Sequence, residues 1–272
     1  ATGAKRATPG RDDVLTAAAI GTTLGPVIAI TSEGRALRLQ GVDVDEVSGR
    51  SRGQDAAKKF GANKGEQILT VVTPGSESLV LVAQSGAAKR IAADAIADLR
   101  HGKPVFPLKG NDKLAVACTA PDGADIVLVT ADAQVLRTPI DAISVKSANA
   151  GGVACMNVKG SYVVGGGVAL GDAVVATATN AGTAKATPID EIPTYGRGSA
   201  GVRLTKLGDG QRITVVYVGA LDGMQALMSV DGNPSQIDPN PVAFPLAPTK
   251  RDLVSSLADH GRRVLAIGSA RW

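Results

Sequence analysis

The chain has 272 residues, 44% apolar but only 3% aromatic, and its 29 Lys and Arg against 25 Asp and Glu leave a formal net charge of +4. That length can bury a substantial core, which must be built from Val, Ile, Leu and Ala. No apolar run approaches a membrane-spanning helix, and the opening ATGAKRATPGRDD lacks the apolar segment of a secretory signal.

Residues 1–11 are expected to form a linker or tail, and residues 12–272 a single domain. VLTAAAIGTT (14–23) is expected to supply the first strand. VIAITSEGRALRL (27–39) reads as an apolar strand, a turn at Gly34 and a second strand carrying Arg38. GVDVDEV comes next as a further strand or turn. The next loop, RSRGQDAAKKFGANK (50–64), is the densest basic stretch: Arg50, Arg52, Lys58, Lys59 and Lys64 face only Asp55. LVLVAQSGAAKRI (79–91) repeats the first hairpin, with Gly86 in its turn and Lys89 and Arg90 in its second strand. AADAIADLRHGKPVFPLKGND adds Arg100, Lys103 and Lys109, and LAVACTA is a strand.

IVLVTADAQVLRT (126–138) has Ala133 in the place of the glycine, with Arg137 four residues later. TPIDAI and the glycine-bearing KSANAGGVACMNVKG come after it, and VVGGG (163–167) reads as strand then turn. VVATATNAGTAKA (174–186) carries Gly182 and Lys185. It leads into TPIDEI and YGRGSAGVRLTKLGDGQ, with Arg197 and Arg203. LMSVDGNPSQI (227–237) keeps Gly232 but has Gln236 where a base would stand. Prolines 234, 239, 241, 245 and 248 restrict this part of the chain to edges and loops. A short helix is expected over KRDLVSSLADH, and RRVLAIGSARW is a strand that completes a unit or closes a ring.

The turn positions 34, 86, 133, 182 and 232 lie 52, 47, 49 and 50 residues apart, and TPIDAI and TPIDEI match at five of six positions, 49 apart. A period near fifty means repeated units that bury their faces against one another. Each period accommodates about four short strands. Four-stranded units in a radial array answer the edge-strand problem, so the expected fold is all-β and propeller-like, with five or six blades.

The charge is uneven. Residues 1–110 hold 15 Lys and Arg against 11 Asp and Glu, and residues 111–272 hold 14 of each. Clustered bases on a glycine-rich loop suit a polyanion. A base returning at the same place in successive units (Arg38, Lys89 with Arg90, Arg137, Lys185) gives a spacing suited to phosphates; the alternative is that these bases are exposed strand ends that blunt edges. Enzyme signatures are missing. His101 and His260 are the only histidines and have no metal-ligand spacing, and no nucleophile elbow or Walker loop occurs. Tyr162, Tyr195 and Tyr217 lack a constellation for nucleophilic catalysis. Cys118 and Cys155 sit in apolar surroundings as small core residues, and with nothing to suggest an oxidising compartment the cytoplasm is expected.

LVLVAQSGAAKRI, TPIDEI and YGRGSAGVRLTKL, recurring in register, resemble the C-terminal domain of the type IIA topoisomerase A subunit, the family of DNA gyrase and topoisomerase IV. The resemblance covers the chain from about residue 12. It implies a β-pinwheel whose blades exchange strands and whose basic rim bends duplex DNA. It also implies a nucleoid-associated setting and two protein partners, the upstream cleavage domain and the ATPase B subunit. This chain would be non-catalytic and need no cofactor, while the parent enzyme would use ATP and Mg2+. Gyrase A subunits carry a box of the form Q-R-R-G-G-K-G in the first outer loop, needed for wrapping. SGRSRGQDAAKKFGANKG (48–65) is basic and in that place but is not that box, which favours a topoisomerase IV-like or divergent A subunit. The competing reading is a protein-binding repeat scaffold.

Overall fold

A computed structural model describes residues 14–46, 53–231, 233–259 and 262–270. The expected tail, Gly232 and His260 lie outside the described residues. Among the described residues five antiparallel sheets form successive blades, with one further two-stranded parallel pair, so the all-β, propeller-like expectation holds with five units. Each of the first four blades is a hairpin, an inner strand that comes after it, and an outer segment donated by the next unit.

In the first blade the hairpin Pro26–Thr31/Ala36–Gln40 pairs with Ile68–Val72, and Pro104 bridges Arg35 from outside. In the second, Ser78–Ala83 and Ala87–Ile91 pair with Leu114–Ala120 and with Val153–Ala154, which arrives from the following unit. The third joins Asp125–Thr130, Gln134–Pro139 and Val163–Ala169 to Val202–Arg203. The fourth joins Ala173–Thr179, Thr183–Pro188 and Ile213–Ala220 to Ser256–Leu257. In the fifth, Met224–Val230 pairs on one side with Val264–Ser269 and on the other with Asn233–Ile237 and Val242–Ala243. The edge strand Asn233–Ile237 contains Pro234, in keeping with proline's confinement to edges.

The hairpin strands are apolar on both faces because each blade is packed on both sides. Leu79 and Leu81 join Ile28 and Ile30 of the first blade, whereas Val80 and Val82 join Ile126 and Leu128 of the third. Val127 and Val129 then meet Val175 of the fourth, and Val174 and Ala176 meet Met224 and Met228 of the fifth. The core is thus a series of layers between blades. The inner strands also touch in succession from blade to blade. On the outer face of the first blade, Ala29 and Leu37 are covered by Phe60, from the short α-helix Ala56–Phe60. Asp55 caps that helix by accepting from the Lys58 amide at 3.2 Å.

Three local expectations are corrected. Residues 14–23 do not form a strand of the first blade; Leu15 bridges Ser269 of the last inner strand, and Thr73 donates to the Ile20 carbonyl at 2.6 Å. This arm runs between the last blade and the first. The expected helix at 250–260 is two short strands, Leu253–Val254 and Ser256–Leu257, because the segment is an exchanged one. VVGGG continues as the strand Val163–Ala169. Its glycines permit close packing: a Cβ on Gly166 would lie 2.1 Å from the Val127 carbonyl oxygen.

Candidate nucleic-acid interface

Strand alternation divides the recurring bases into two sets. Four residues after the turn stand Arg38, Arg90 and Arg137, all partly buried, and each reaches into the following blade. Arg38 Nη1 donates to Ala97 O at 2.5 Å and Leu99 O at 3.3 Å. Arg90 Nε donates to Ile143 O at 2.9 Å. Arg137 Nη1 donates to Ile189 O at 3.2 Å and Ile192 O at 3.5 Å. These carbonyls lie in or just after the 3-10 turns Ala93–Asp98, Ile140–Ala142 and Ile189–Glu191. Carboxylates complete the arrangement: Asp141 pairs with Arg90 at 3.0 Å and Asp125 with Arg137 at 2.7 Å. The T-P-I-D segment therefore supplies both a carbonyl acceptor and, at Asp141, a counter-charge for the preceding blade.

Three residues after the turn stand Leu37, Lys89, Leu136 and Lys185, all buried. Lys89 is fully buried and donates to the carbonyls of Ser147, Ala148 and Ala150 at 2.9, 2.8 and 2.7 Å. Its Nζ lies 5.4 Å from the centre of the Phe106 ring. Lys185 donates to Leu204 O and Leu253 O, both at 3.2 Å. Lys89 and Lys185, expected to face phosphates, are both buried, with their ammonium groups held by backbone carbonyls. Arg38, Arg90 and Arg137 likewise have their guanidinium groups engaged between blades.

A second set of bases lies on the segments passed from one blade to the preceding one, with Arg100, Lys103, Arg197 and Lys250 exposed and Lys146 and Arg251 half-buried. Each segment crosses its neighbour's hairpin through a backbone bond to the residue four after the turn: Lys146 N to Arg90 O, Tyr195 N to Arg137 O, and Thr249 N to Ala186 O, at 2.8, 2.8 and 2.9 Å. In the first blade His101 takes that place, its Nδ1 3.0 Å from the Arg38 amide. The segment then loops and returns as the outer strand. These loops carry Arg100 and Lys103, Lys146, Arg197, and Lys250 with Arg251. Gly201 makes one return possible, with φ +72° and a would-be Cβ 2.0 Å from Val135 O.

Successive loops abut, forming a continuous border. Gly198 N donates to Cys155 O and Asn157 N to Ser199 O, at 2.5 and 2.9 Å. Thr205–Lys206 pairs in parallel with Leu253–Val254. Arg197 is exposed and its Nη1 donates to Ala154 O at 3.2 Å. Arg203 is exposed and ion-paired with Asp252. Arg100 and Lys103 are exposed. Lys146, Lys159, Lys206, Lys250 and Arg251 belong to the same border and are not among the bases the sequence marks as candidate contacts. For Lys146, Lys250 and Arg251 the signal is position at or just after the crossing bond, which becomes legible once that bond is aligned from unit to unit.

The basic stretch of the first unit is only partly described. Arg50 and Arg52 lie outside the described residues. Lys58 and Lys64 are exposed, and Lys59 is bound to Asp45 at 2.9 Å. Beside this stretch, buried Glu66 accepts from Arg35 Nε at 2.9 Å and from the Asn63 amide at 2.8 Å. Burial raises its pKa, but hydrogen bonds from Arg35, Thr31 and Asn63 outweigh that and hold it down to about 2. Cys118 and Cys155 are free thiols, pushed up by burial to about 12 and about 11. Among the described residues, no group of three or more His, Cys, Asp or Glu could hold a metal ion, and no helix is long and apolar enough to cross a membrane.

The model of the family described as DNA gyrase C-terminal domain, beta-propeller, matches residues 26–72, 77–119, 124–166 and 173–218, one segment for each of the first four blades. The A subunit of DNA gyrase from Mycobacterium bovis is 29% identical over 230 residues, covering 81% of this chain and 27% of that protein. The chain thus spans about a quarter of the curated relative it matches. A crystal structure of the C-terminal domain of DNA topoisomerase IV superposes with a TM-score of 0.77 at 20% identity, covering 90% of this chain and 79% of the other. A DNA gyrase A C-terminal domain superposes with a TM-score of 0.72 at 13% identity, covering 97% and 91%. Both structures share the fold.

Proposed function

The chain belongs to the DNA gyrase C-terminal domain, beta-propeller, family, and from that premise we propose that it is a non-catalytic module that binds and bends duplex DNA along its border of exchanged loops. The observation that carries this reading is the recurrence of exposed or half-buried Lys and Arg on successive, abutting loops. Phosphate contacts need cations spaced along a backbone and carry no sequence information. A curved row of them favours duplexes that bend at low cost, so deformability rather than base identity selects the site.

In this reading Arg100, Lys103, Arg197 and Arg203 are joined by Lys146, Lys250 and Arg251, while Lys58 and Lys64 extend the row at the first blade. The bases that bridge or fill the blades, Arg38, Lys89, Arg90, Arg137 and Lys185, support the surface from beneath. Residues 12–272 act as one domain of a longer A subunit. Its protein partners are the cleavage domain upstream and the ATPase B subunit. The parent is an ATP- and Mg2+-dependent topoisomerase of the cytoplasm, working on nucleoid DNA.

The test is to titrate the chain onto relaxed circular plasmid in the presence of a nicking-closing enzyme. Bending without wrapping predicts binding with no trapped linking change, as the departure of residues 48–65 from the wrapping box implies. A trapped positive change would instead assign gyrase-like wrapping. Absence of binding at low salt would reject the reading in favour of a protein-binding scaffold.

A further inference from the structure

Lys89 and Lys185 occupy equivalent places, one under each of two border loops. The loop that starts at Lys146 leaves the second blade's hairpin at Arg90, turns through residues 147–152 and returns as Val153–Ala154 against Ala87 and Ala88. Lys89 projects into the middle of that turn, where three carbonyl oxygens converge on its Nζ within 2.9 Å. Phe106, from the neighbouring border segment, packs over the same ammonium and against Gly152. Under the loop that starts at Thr249, Lys185 Nζ joins Leu204 O to Leu253 O, linking two exchanged segments. Thr205 Oγ1 also donates to Leu253 O at 2.7 Å, and Asp252 N to Leu204 O at 2.9 Å. The first and third blades place Leu37 and Leu136 at this register, so a lysine is not required to fill the space.

Three carbonyls pointing into one buried hole repel each other unless a donor lies between them, and a single ammonium supplies three N–H groups. Burial, with the charge of Lys146 adding to it, pushes the Lys89 ammonium down to about 8, so the charge is held there at a cost.

We infer that Lys89 and Lys185 are positioning residues, which peg two border loops from inside and so hold Lys146 and the Arg203, Lys250 and Arg251 group in the curve that duplex DNA follows. The inference rests on the DNA-bending reading for its consequence, but the pegging itself is a property of the free protein. The lysines touch no phosphate.

The experiment compares the full chain with Lys89→Leu, Lys89→Met, Lys185→Leu and, as a direct-contact control, Lys146→Ala. Amide hydrogen exchange is measured across the molecule, and DNA affinity and end-to-end bending are followed by fluorescence against salt. In Lys89→Leu and Lys89→Met, exchange over residues 146–154 rises about tenfold or more while Ser78–Ala83 stays protected. DNA bending falls in these variants, and the slope of log affinity against log salt stays at the wild-type value. Lys146→Ala lowers the slope by about 1 without changing exchange. The Met variant keeps the chain length, so a packing defect confined to Leu is recognised. A slope reduced by Lys89→Met would make Lys89 a phosphate ligand and overturn the inference. So would unchanged exchange over 146–154. Failure of the wild-type chain to bend DNA would overturn the proposed function instead, and the exchange data would still decide whether the lysines peg the loops.

Discussion

Arg90 of the second blade donates from Nε to the carbonyl of Ile143 in the third blade at 2.9 Å. Arg38 and Arg137 make the same kind of reach, so three consecutive junctions share one device. Its position within the second hairpin strand, one residue after the buried position 37, 89 or 136, explains why an arginine returns at each of these hairpins. A planar guanidinium can serve a carbonyl and a carboxylate together, as Arg90 does with Ile143 and Asp141. The fourth hairpin has buried Ala186 in that place.

Arg90→Ala should therefore act on stability more than on DNA. Its side chain is 11% exposed, and its loss leaves a carbonyl and a carboxylate without their donor. The expected cost is about 1–3 kcal/mol in chemical denaturation. The salt slope of DNA affinity should stay unchanged. A lowered slope with wild-type stability would reverse the assignment.

Glu66 gives the fold an acid-sensitive contribution. Its pKa falls from 4.5 in the unfolded chain to about 2 in the folded one. The stabilisation is fully present above about 4.5 and is lost as pH falls through about 2, because only the unfolded state takes up the proton between those values. The difference corresponds to about 3 kcal/mol. Denaturation midpoints measured between pH 5 and 2 should fall in the wild type and fall less in Glu66→Gln. Equal dependence in both proteins would show that other groups carry it.

Glycines should divide by what surrounds them. A methyl group on Gly201 would lie 2.0 Å from Val135 O in a backbone with φ +72°, whereas one on Gly53 would meet nothing within 4 Å among the described residues. Gly201→Ala is expected to destabilise by more than about 1 kcal/mol, and Gly53→Ala to be near neutral. Thermal melts of the two variants check this, and similar melting temperatures would contradict it.

The hairpins and their period were legible because strands buried on both faces write long apolar runs, and left-handed turns demand glycine. The exception is itself informative: Ala133 replaces the glycine yet keeps φ 63°. Strand exchange was not legible from residue patterns, because the donated strands Val153–Ala154, Val202–Arg203 and Ser256–Leu257 have two residues each and show no periodicity. Only the family resemblance supplied it. The recurring bases were visible, but one residue of register separates Lys89, which is fully buried, from Arg90, which reaches sideways. Their burial depends on loops about sixty residues downstream, beyond what a local pattern carries. The exposed bases vary in position from loop to loop, so they do not align as a motif.

Whether the exposed bases on the exchanged loops engage a DNA backbone is tested most directly by salt dependence. The measurement is the affinity of the chain for a linear duplex across a range of salt concentrations, repeated with Arg197→Ala and Lys250→Ala together. Engagement of about five phosphates predicts a slope of log affinity against log salt near −4.5, reduced in magnitude by about 2 in the double variant. An affinity that does not change with salt, or a slope the double variant leaves intact, would contradict that engagement.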